Sequence, residues 1–178
     1  MSALRPCVIG LLAIIASGLL GASVLLASRI INPPPVDLLD LEYLAYLGDP
    51  APPYELPGLD GQTITSTDLA GRAHVLFWGD PDCEACKEVY PQLKQTAEKV
   101  PILMIAISSS RAAIAQSRTE QGFTFPVAFD SLRATLVPYH VIAYPTAMLI
   151  DSKGRIRKAA SGNIMAARVL AYAGRKHR

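Results

Sequence analysis

The chain has 178 residues, 51% of them hydrophobic, a formal net charge of +2 and three cysteines. That length suits one domain with an appendage, and so few cysteines exclude a small disulfide-stapled scaffold. Charge is segregated: residues 37–100 hold twelve acids against four Lys or Arg, and residues 151–178 hold eight Lys or Arg against one acid. The basic tail lacks the series of interleaved aromatics that a nucleic-acid groove uses. It reads as a solvated helix end answering the acidic half, and no nucleic-acid partner is expected.

In chain order, residues Pro6 to Ser28 carry no charge. As a helix this stretch would span about 35 Å, enough to cross the apolar layer of a bilayer. Residues 1–31 therefore read as a signal-anchor, one N-terminal transmembrane helix. The alternative is a cleavable signal peptide cut near Gly21-Ala22-Ser23, but the apolar run resumes at once with Val24-Leu25-Leu26. Arg5 and Arg29 flank the span one on each side, and the acid-rich far side places the remaining domain outside the membrane. Cys7 falls inside the apolar run as a small apolar residue.

Residues 32–52 form a Pro-rich linker, opened by the stiff spacer Pro33-Pro34-Pro35. Within it Val36, Leu39, Tyr43, Tyr46 and Leu47 fall at helical spacing. This short amphipathic helix either packs on its parent domain or docks a membrane-complex partner through residues 36–47.

Residues 53–178 read as one α/β domain. Tyr54-Glu55-Leu56 and Thr63-Ile64-Thr65 flank a turn rich in Gly and Asp, the signature of a hairpin. Ser66 or Thr67 could cap a single turn through Leu69. The apolar run Val75–Trp78 reads as a buried strand, and Cys83 to Lys99 as a helix with Pro91 inside it, where a kink is expected. Ile102–Ile107 is a second buried strand, Ser108–Gly122 a surface helix, and Pro126–Phe129 a third strand. Leu132–Pro138 is a short helix or turn. Pro145–Ile150 and Arg155–Ala159 straddle a last hairpin. Asn163 is the expected N-cap of a final helix with Ile164, Ala167, Leu170 and Ala171 as its apolar positions. Strands and helices in this order describe a central mixed sheet covered by helices.

The stretch AHVLFWGDPDCEACKEVYP carries the chemistry. A turn, Gly79-Asp80-Pro81-Asp82, delivers Cys83 and Cys86 to a helix start. Two cysteines three apart there form a disulfide easily, and the first gains acidity from the helix dipole and its free amides. A Cys-x-x-Cys beside a βαβ pattern is a thiol redox signature.

Four segments in order, APPYELPGLDGQTITSTDLAGR, VLFW with CEACKEVYP, FPVAFDS with VPYHVIAYPT, and PTAMLIDSKGRIRKAASG, resemble the thioredoxin fold of TlpA/ResA-like (redoxin) thiol–disulfide oxidoreductases. The resemblance implies a thioredoxin-like mixed sheet with a leading β-hairpin. It also implies a bacterial inner-membrane protein whose soluble domain lies on the periplasmic side. It makes Cys83 the attacking and Cys86 the resolving cysteine, with the Cys83–Cys86 disulfide in place of any cofactor or metal. Pro145 then stands as the cis-proline, with Tyr144 before it and Trp78 as further client-binding positions. The implied partners are a client protein with a disulfide or dithiol and an upstream membrane thiol donor.

The sequence also departs from that pattern. The loop before the first cysteine is longer by one residue and twice acidic, and Leu76 stands where thioredoxins carry a buried Asp. Glu84 is then the carboxylate nearest Cys86. Asp80, Asp82 and Glu84 would raise the Cys83 pKa by like-charge repulsion and make the couple reducing. Other classes call for different residues. A peroxidase would need Thr or Ser where Asp80 stands. A copper-delivery factor would use His140 with the two thiolates, although such proteins space their cysteines differently. An accessory subunit of a membrane complex would rely on the 36–47 helix.

Overall fold

The computed structural model describes residues 46–108 and 110–176. The expected anchor over 1–31 and the greater part of the 36–47 helix lie outside the described residues. Among the described residues no helix is long and apolar enough to cross a membrane.

Among the described residues, seven strands and three α-helices follow the expected order. The hairpin pairs β1 (Glu55–Pro57) with β2 (Thr63–Thr65), and a 3-10 turn over Ser66–Leu69 follows. Thr65, not Ser66 or Thr67, precedes that turn as its cap, its N–H bonded to the Asp68 carboxylate at 2.7 Å. The main sheet runs β5-β4-β3-β6-β7, from β5 (Val127–Phe129), β4 (Ile102–Ala106) and β3 (His74–Gly79) to β6 (Thr146–Ile150) and β7 (Ile156–Ser161). β3, β4 and β5 are parallel, while β6 and β7 run antiparallel to their neighbours. Every residue of β3, β4 and β6 is buried, as expected for strands covered on both faces.

Alternation along β3 divides the core. Val75 and Phe77 join one cluster with α1 (Glu84–Ala97) and α3 (Asn163–Lys176). Leu76 and Trp78 join the other, under the hairpin and the segment before β6. α1 continues through Pro91 as one helix. α2 (Arg111–Gln121) is capped by Ser110, whose Oγ accepts the Ala113 N–H, and ends at Gly122 with φ 65°, a left-handed stop that glycine takes without strain.

Two expectations are corrected. On α3 the buried positions are Ala166, Val169, Leu170 and Ala173, and Ile164 is 65% exposed. Of the predicted positions Leu170 is buried and Ala167 packs half-buried on the same cluster, so the face differs from the predicted one chiefly at Ile164. Asn163 is the first helical residue rather than the cap: the carbonyl of Gly162 takes the first helical bond, from the Ala166 N–H.

Contacts with the sheet and its core reach back before residue 53. Tyr46, Leu47 and Ala51 pack on the second core cluster. Gly48 donates to the Ile156 carbonyl at 2.8 Å, Ile156 to the Asp49 carbonyl at 3.0 Å, and Ala51 to the Gly154 carbonyl at 2.8 Å. At the opposite rim, Gly58 bridges Ala128 and Leu59 donates to the Val127 carbonyl at 3.0 Å.

Candidate active site

The end of β3 is built from residues with little room to spare. A Cβ at Gly79 would stand 3.1 Å from Phe77 Cε1, 3.5 Å from Cys86 Sγ and 3.6 Å from Met104 Cε. The tight neighbour is the Phe77 ring, and the Cys86 sulfur stands at ordinary contact distance. The turn that follows is held by Asp80, whose carboxylate accepts the Asp82 N–H at 2.9 Å and whose carbonyl accepts the Cys83 N–H at 3.1 Å. The Tyr90 hydroxyl reaches the same carbonyl at 3.5 Å. Burial, with the Asp80 charge adding to it, pushes the Tyr90 hydroxyl up to about 12.

Cys83 is the N-cap of α1, its Sγ accepting the Cys86 N–H at 3.1 Å. The two sulfurs are joined as a disulfide with a Cα–Cα distance of 5.2 Å. Cys83 is half-buried and Cys86 is 0% exposed, so a partner molecule can reach only the first. An amide N–H aimed at the Cys83 sulfur, added to the helix N-terminus, favours the thiolate at that position once the disulfide opens.

Pro145 lies across from this end. β6 pairs with β3 so that Thr146 faces Trp78, and one more step of that antiparallel register sets Pro145 opposite Gly79. The Tyr144–Pro145 peptide is cis. Cys83 and Tyr144 pack half-buried against the same core cluster. Burial raises the Tyr144 hydroxyl above its ordinary range; Arg133 opposes this, while Asp80 and Asp130 add to it. The fold thus gathers Cys83, Cys86, Asp80, Tyr144 and Pro145 at one end of the sheet.

One expected site residue is placed elsewhere. Trp78 is 0% exposed and turned to the face opposite Cys86, so it cannot touch a client. Glu84 is exposed, its carboxylate paired with the Lys87 ammonium at 2.6 Å in open solvent, where such a pair is worth little. Asp82 is exposed in the turn. His140 stacks on the Tyr46 ring with centroids 3.7 Å apart. Among the described residues no group of three or more His, Cys, Asp or Glu is arranged to hold a metal ion.

Sequence reasoning missed a buried polar chain. Trp78 Nε1 donates to Thr135 Oγ1 at 2.9 Å, and the Thr135 hydroxyl donates to Asp130 at 2.7 Å. Asp130 also accepts the Ala134 and Thr135 N–H groups at 2.8 and 2.9 Å. The available signal was the lone Trp of the chain within an apolar run, because a buried indole N–H needs an acceptor.

The AhpC/TSA family model matches residues 47–159. The thiol-disulfide oxidoreductase ResA of Bacillus subtilis is 31% identical over 123 residues, covering 66% of this chain and 68% of its own. Among solved structures, a Chlorobium tepidum protein provisionally named thiol:disulfide interchange protein DsbE has a TM-score of 0.65 at 24% identity, over 72% of this chain and 97% of that one. StoA from Bacillus subtilis has a TM-score of 0.57 at 21% identity, over 68% and 96%. The two structural likenesses speak for the fold; the sequence matches carry the assignment. A strand-end Cys-x-x-Cys facing a proline peptide, on a sheet of this topology and with these relatives, makes the chain a member of the AhpC/TSA family and a thioredoxin-fold protein thiol–disulfide oxidoreductase of the TlpA/ResA type.

Proposed function

We propose that the chain is a membrane-tethered reductase of disulfides in partner proteins, working outside the bacterial inner membrane. Its clients are of the kind met in cytochrome c or metalloenzyme maturation. The observation that carries this reading is the asymmetry of the pair: a reachable Cys83 at the helix cap and a sealed Cys86 beside it. An upstream membrane dithiol first reduces the Cys83–Cys86 disulfide and is itself oxidised to a disulfide. The Cys83 thiolate then attacks one sulfur of the client disulfide, forming a mixed disulfide, and the other client sulfur leaves as a thiolate that takes a proton. Cys86, deprotonated, attacks the Cys83 sulfur, the second client thiol is released, and the enzyme disulfide re-forms. Two electrons pass from the enzyme dithiol to the client.

Tyr144 and Pro145 supply the wall beside Cys83 against which the client's chain rests. Asp80 and Asp82 keep negative charge beside the attacking sulfur, which leaves its thiolate less stabilised and the couple more reducing. The N-terminal span, residues 1–31, supplies the tether.

The Cys86→Ser chain tests the roles: it accumulates a mixed disulfide through Cys83, and mass spectrometry of that species names the client. Absence of an adduct in Cys86→Ser, or its presence in Cys83→Ser with Cys86 intact, reverses the assignment. Equilibration with a glutathione buffer tests direction: a potential near those of strongly oxidising periplasmic enzymes, about −120 mV, would rule out a reductase.

A further inference from the structure

The connection between β5 and β6 contains neither strand nor helix, yet it is firmly held. Successive turns are closed by the Arg133 N–H to the Asp130 carbonyl at 3.2 Å, the Tyr139 N–H to the Thr135 carbonyl at 3.1 Å and the Val141 N–H to the Leu136 carbonyl at 2.8 Å. From beneath, the Asp130–Thr135–Trp78 chain ties it to β3, and the Tyr139 hydroxyl donates to the Pro52 carbonyl at 2.5 Å. Despite this anchoring it holds three large apolar side chains out to solvent: Leu132 88% exposed, Val137 82% and Ile142 78%. Val137 and Ile142 line a groove of about 350 Å³ with Tyr46, Leu136, His140 and Val141.

An ordered segment that displays aliphatic side chains marks an interaction surface. Because it is anchored, little ordering entropy is lost when it is covered. Its position selects the occupant. Ile142 stands two residues before Tyr144, within about 7 Å along the chain. A client polypeptide laid across Tyr144 to bring its disulfide to Cys83 meets Ile142 and then Val137 within a few residues, at about 3.3 Å per residue. The turn before Cys83 is acidic instead, with Asp82 exposed and Asp80 half-buried, and offers apolar client side chains no counterpart to Val137 and Ile142.

We propose that Leu132–Ile142 is the client-docking face of the enzyme, and that it selects clients carrying apolar side chains beside their disulfide. This rests on the reading that Cys83 and Cys86 exchange with a client's disulfide. The test uses the full chain with Val137→Ser and Ile142→Ser together, dithiothreitol as reductant, and three substrates. These are 2-hydroxyethyl disulfide and two cystine peptides whose flanking residues are either Leu-Val or Ser-Gly. The unmodified chain prefers the Leu-Val peptide, and the double variant loses about tenfold in kcat/KM on it, mainly through KM. Turnover of 2-hydroxyethyl disulfide is unchanged, which also shows that the variant is folded.

Equal rates of the unmodified chain on both peptides, or an equal loss on both in the variant, overturns the proposal. A Leu-Val peptide with its cysteines replaced by Ser, followed by fluorescence anisotropy, reports docking without exchange. Loss of its binding in the variant supports the docking face even if 2-hydroxyethyl disulfide is not turned over, the result that would instead sink the redox reading. If Leu39→Ser with Tyr43→Ser gives the same loss as the groove variant, the groove belongs to the chain's own preceding segment. If the unmodified chain sediments as a dimer that the groove variant dissolves, the groove belongs to a second copy. Either outcome overturns the assignment to a client.

Discussion

The two ends of β3 are packed to different standards. At Gly79 a methyl group would fit only if the Phe77 ring gave way slightly, with Met104 and the Cys86 sulfur already in contact. At His74, five residues upstream, the strand opens onto a cavity of about 300 Å³ lined also by Tyr54, Tyr139, Ile150 and the Asp151–Gly154 turn. The buried Tyr54 hydroxyl there has no hydrogen-bond partner among the described residues. One strand thus carries a tightly specified end, where sulfurs must be aimed, and a slack end, where an unmet polar group is tolerated. Packing quality follows the chemistry rather than depth of burial, since both ends are buried.

Gly79→Ala should break this contrast most visibly. The added methyl meets an aromatic ring and the resolving sulfur, so destabilisation of up to about 3 kcal/mol is expected in urea unfolding, with a loss of turnover to match. Thr135→Val comes next: it strips Trp78 of its acceptor and Asp130 of a donor in a buried chain, at a cost of about 2 kcal/mol. Thr135→Ser, which keeps the hydroxyl, should recover most of it. At the slack end a pair of tyrosines sharpens the comparison. Tyr139→Phe loses the bond to the Pro52 carbonyl and should cost about 1 kcal/mol. Tyr54→Phe loses no bond and should fall within about 0.5 kcal/mol of zero, or stabilise, because it removes an unsatisfied group. Equal costs for the two would show that the Tyr54 hydroxyl is satisfied and that the His74 end is not slack.

The smallest effects are those of pH. Burial holds the His74 ring below its ordinary range, with the bond to the Arg72 carbonyl working against this and the Arg72 charge adding to it. The folded chain therefore resists a proton that the unfolded chain accepts. This contribution is complete above about pH 6.5 and is lost as pH falls below that value. His74→Gln should flatten the acid limb of stability against pH. On the alkaline side burial raises Tyr54 and Tyr90 to about 12. The unfolded chain ionises them near pH 10, so their contribution is present below about pH 10 and declines above it. Absorbance at 295 nm should register this as late phenolate formation that coincides with unfolding.

Much of the redox end was legible in the residues. The apolar run before the Cys-x-x-Cys, the helix it starts and the β6–β7 hairpin stand where spacing put them. The place of Trp78 was harder to read: in a run buried on both faces, hydrophobicity does not say which residue faces the helices, and only register with β4 and β6 settles it. On α3 hydropathy favours Ile164, which is exposed, and gives no sign of Ala166 and Ala173, which are buried. Asp130 and Thr135 gave no signal on their own, since a polar pair in a loop acquires meaning only from the indole that lies above it. Sequence distance sets Glu84 beside both cysteines but does not show its exposed pairing with Lys87, which needs the helix turn.

Both rims of the main sheet are covered at least in part by the chain's own leading segment, β5 by Gly58–Leu59 and the start of β7 by Gly48–Asp49. A bare rim is a template on which a second molecule can add a strand and begin an aggregate. Because the stretch that roofs these rims precedes the sheet in sequence, cutting it away to obtain a shorter soluble product should expose them. The harm of such a truncation would be seen first as self-association, before any fall in thiol chemistry.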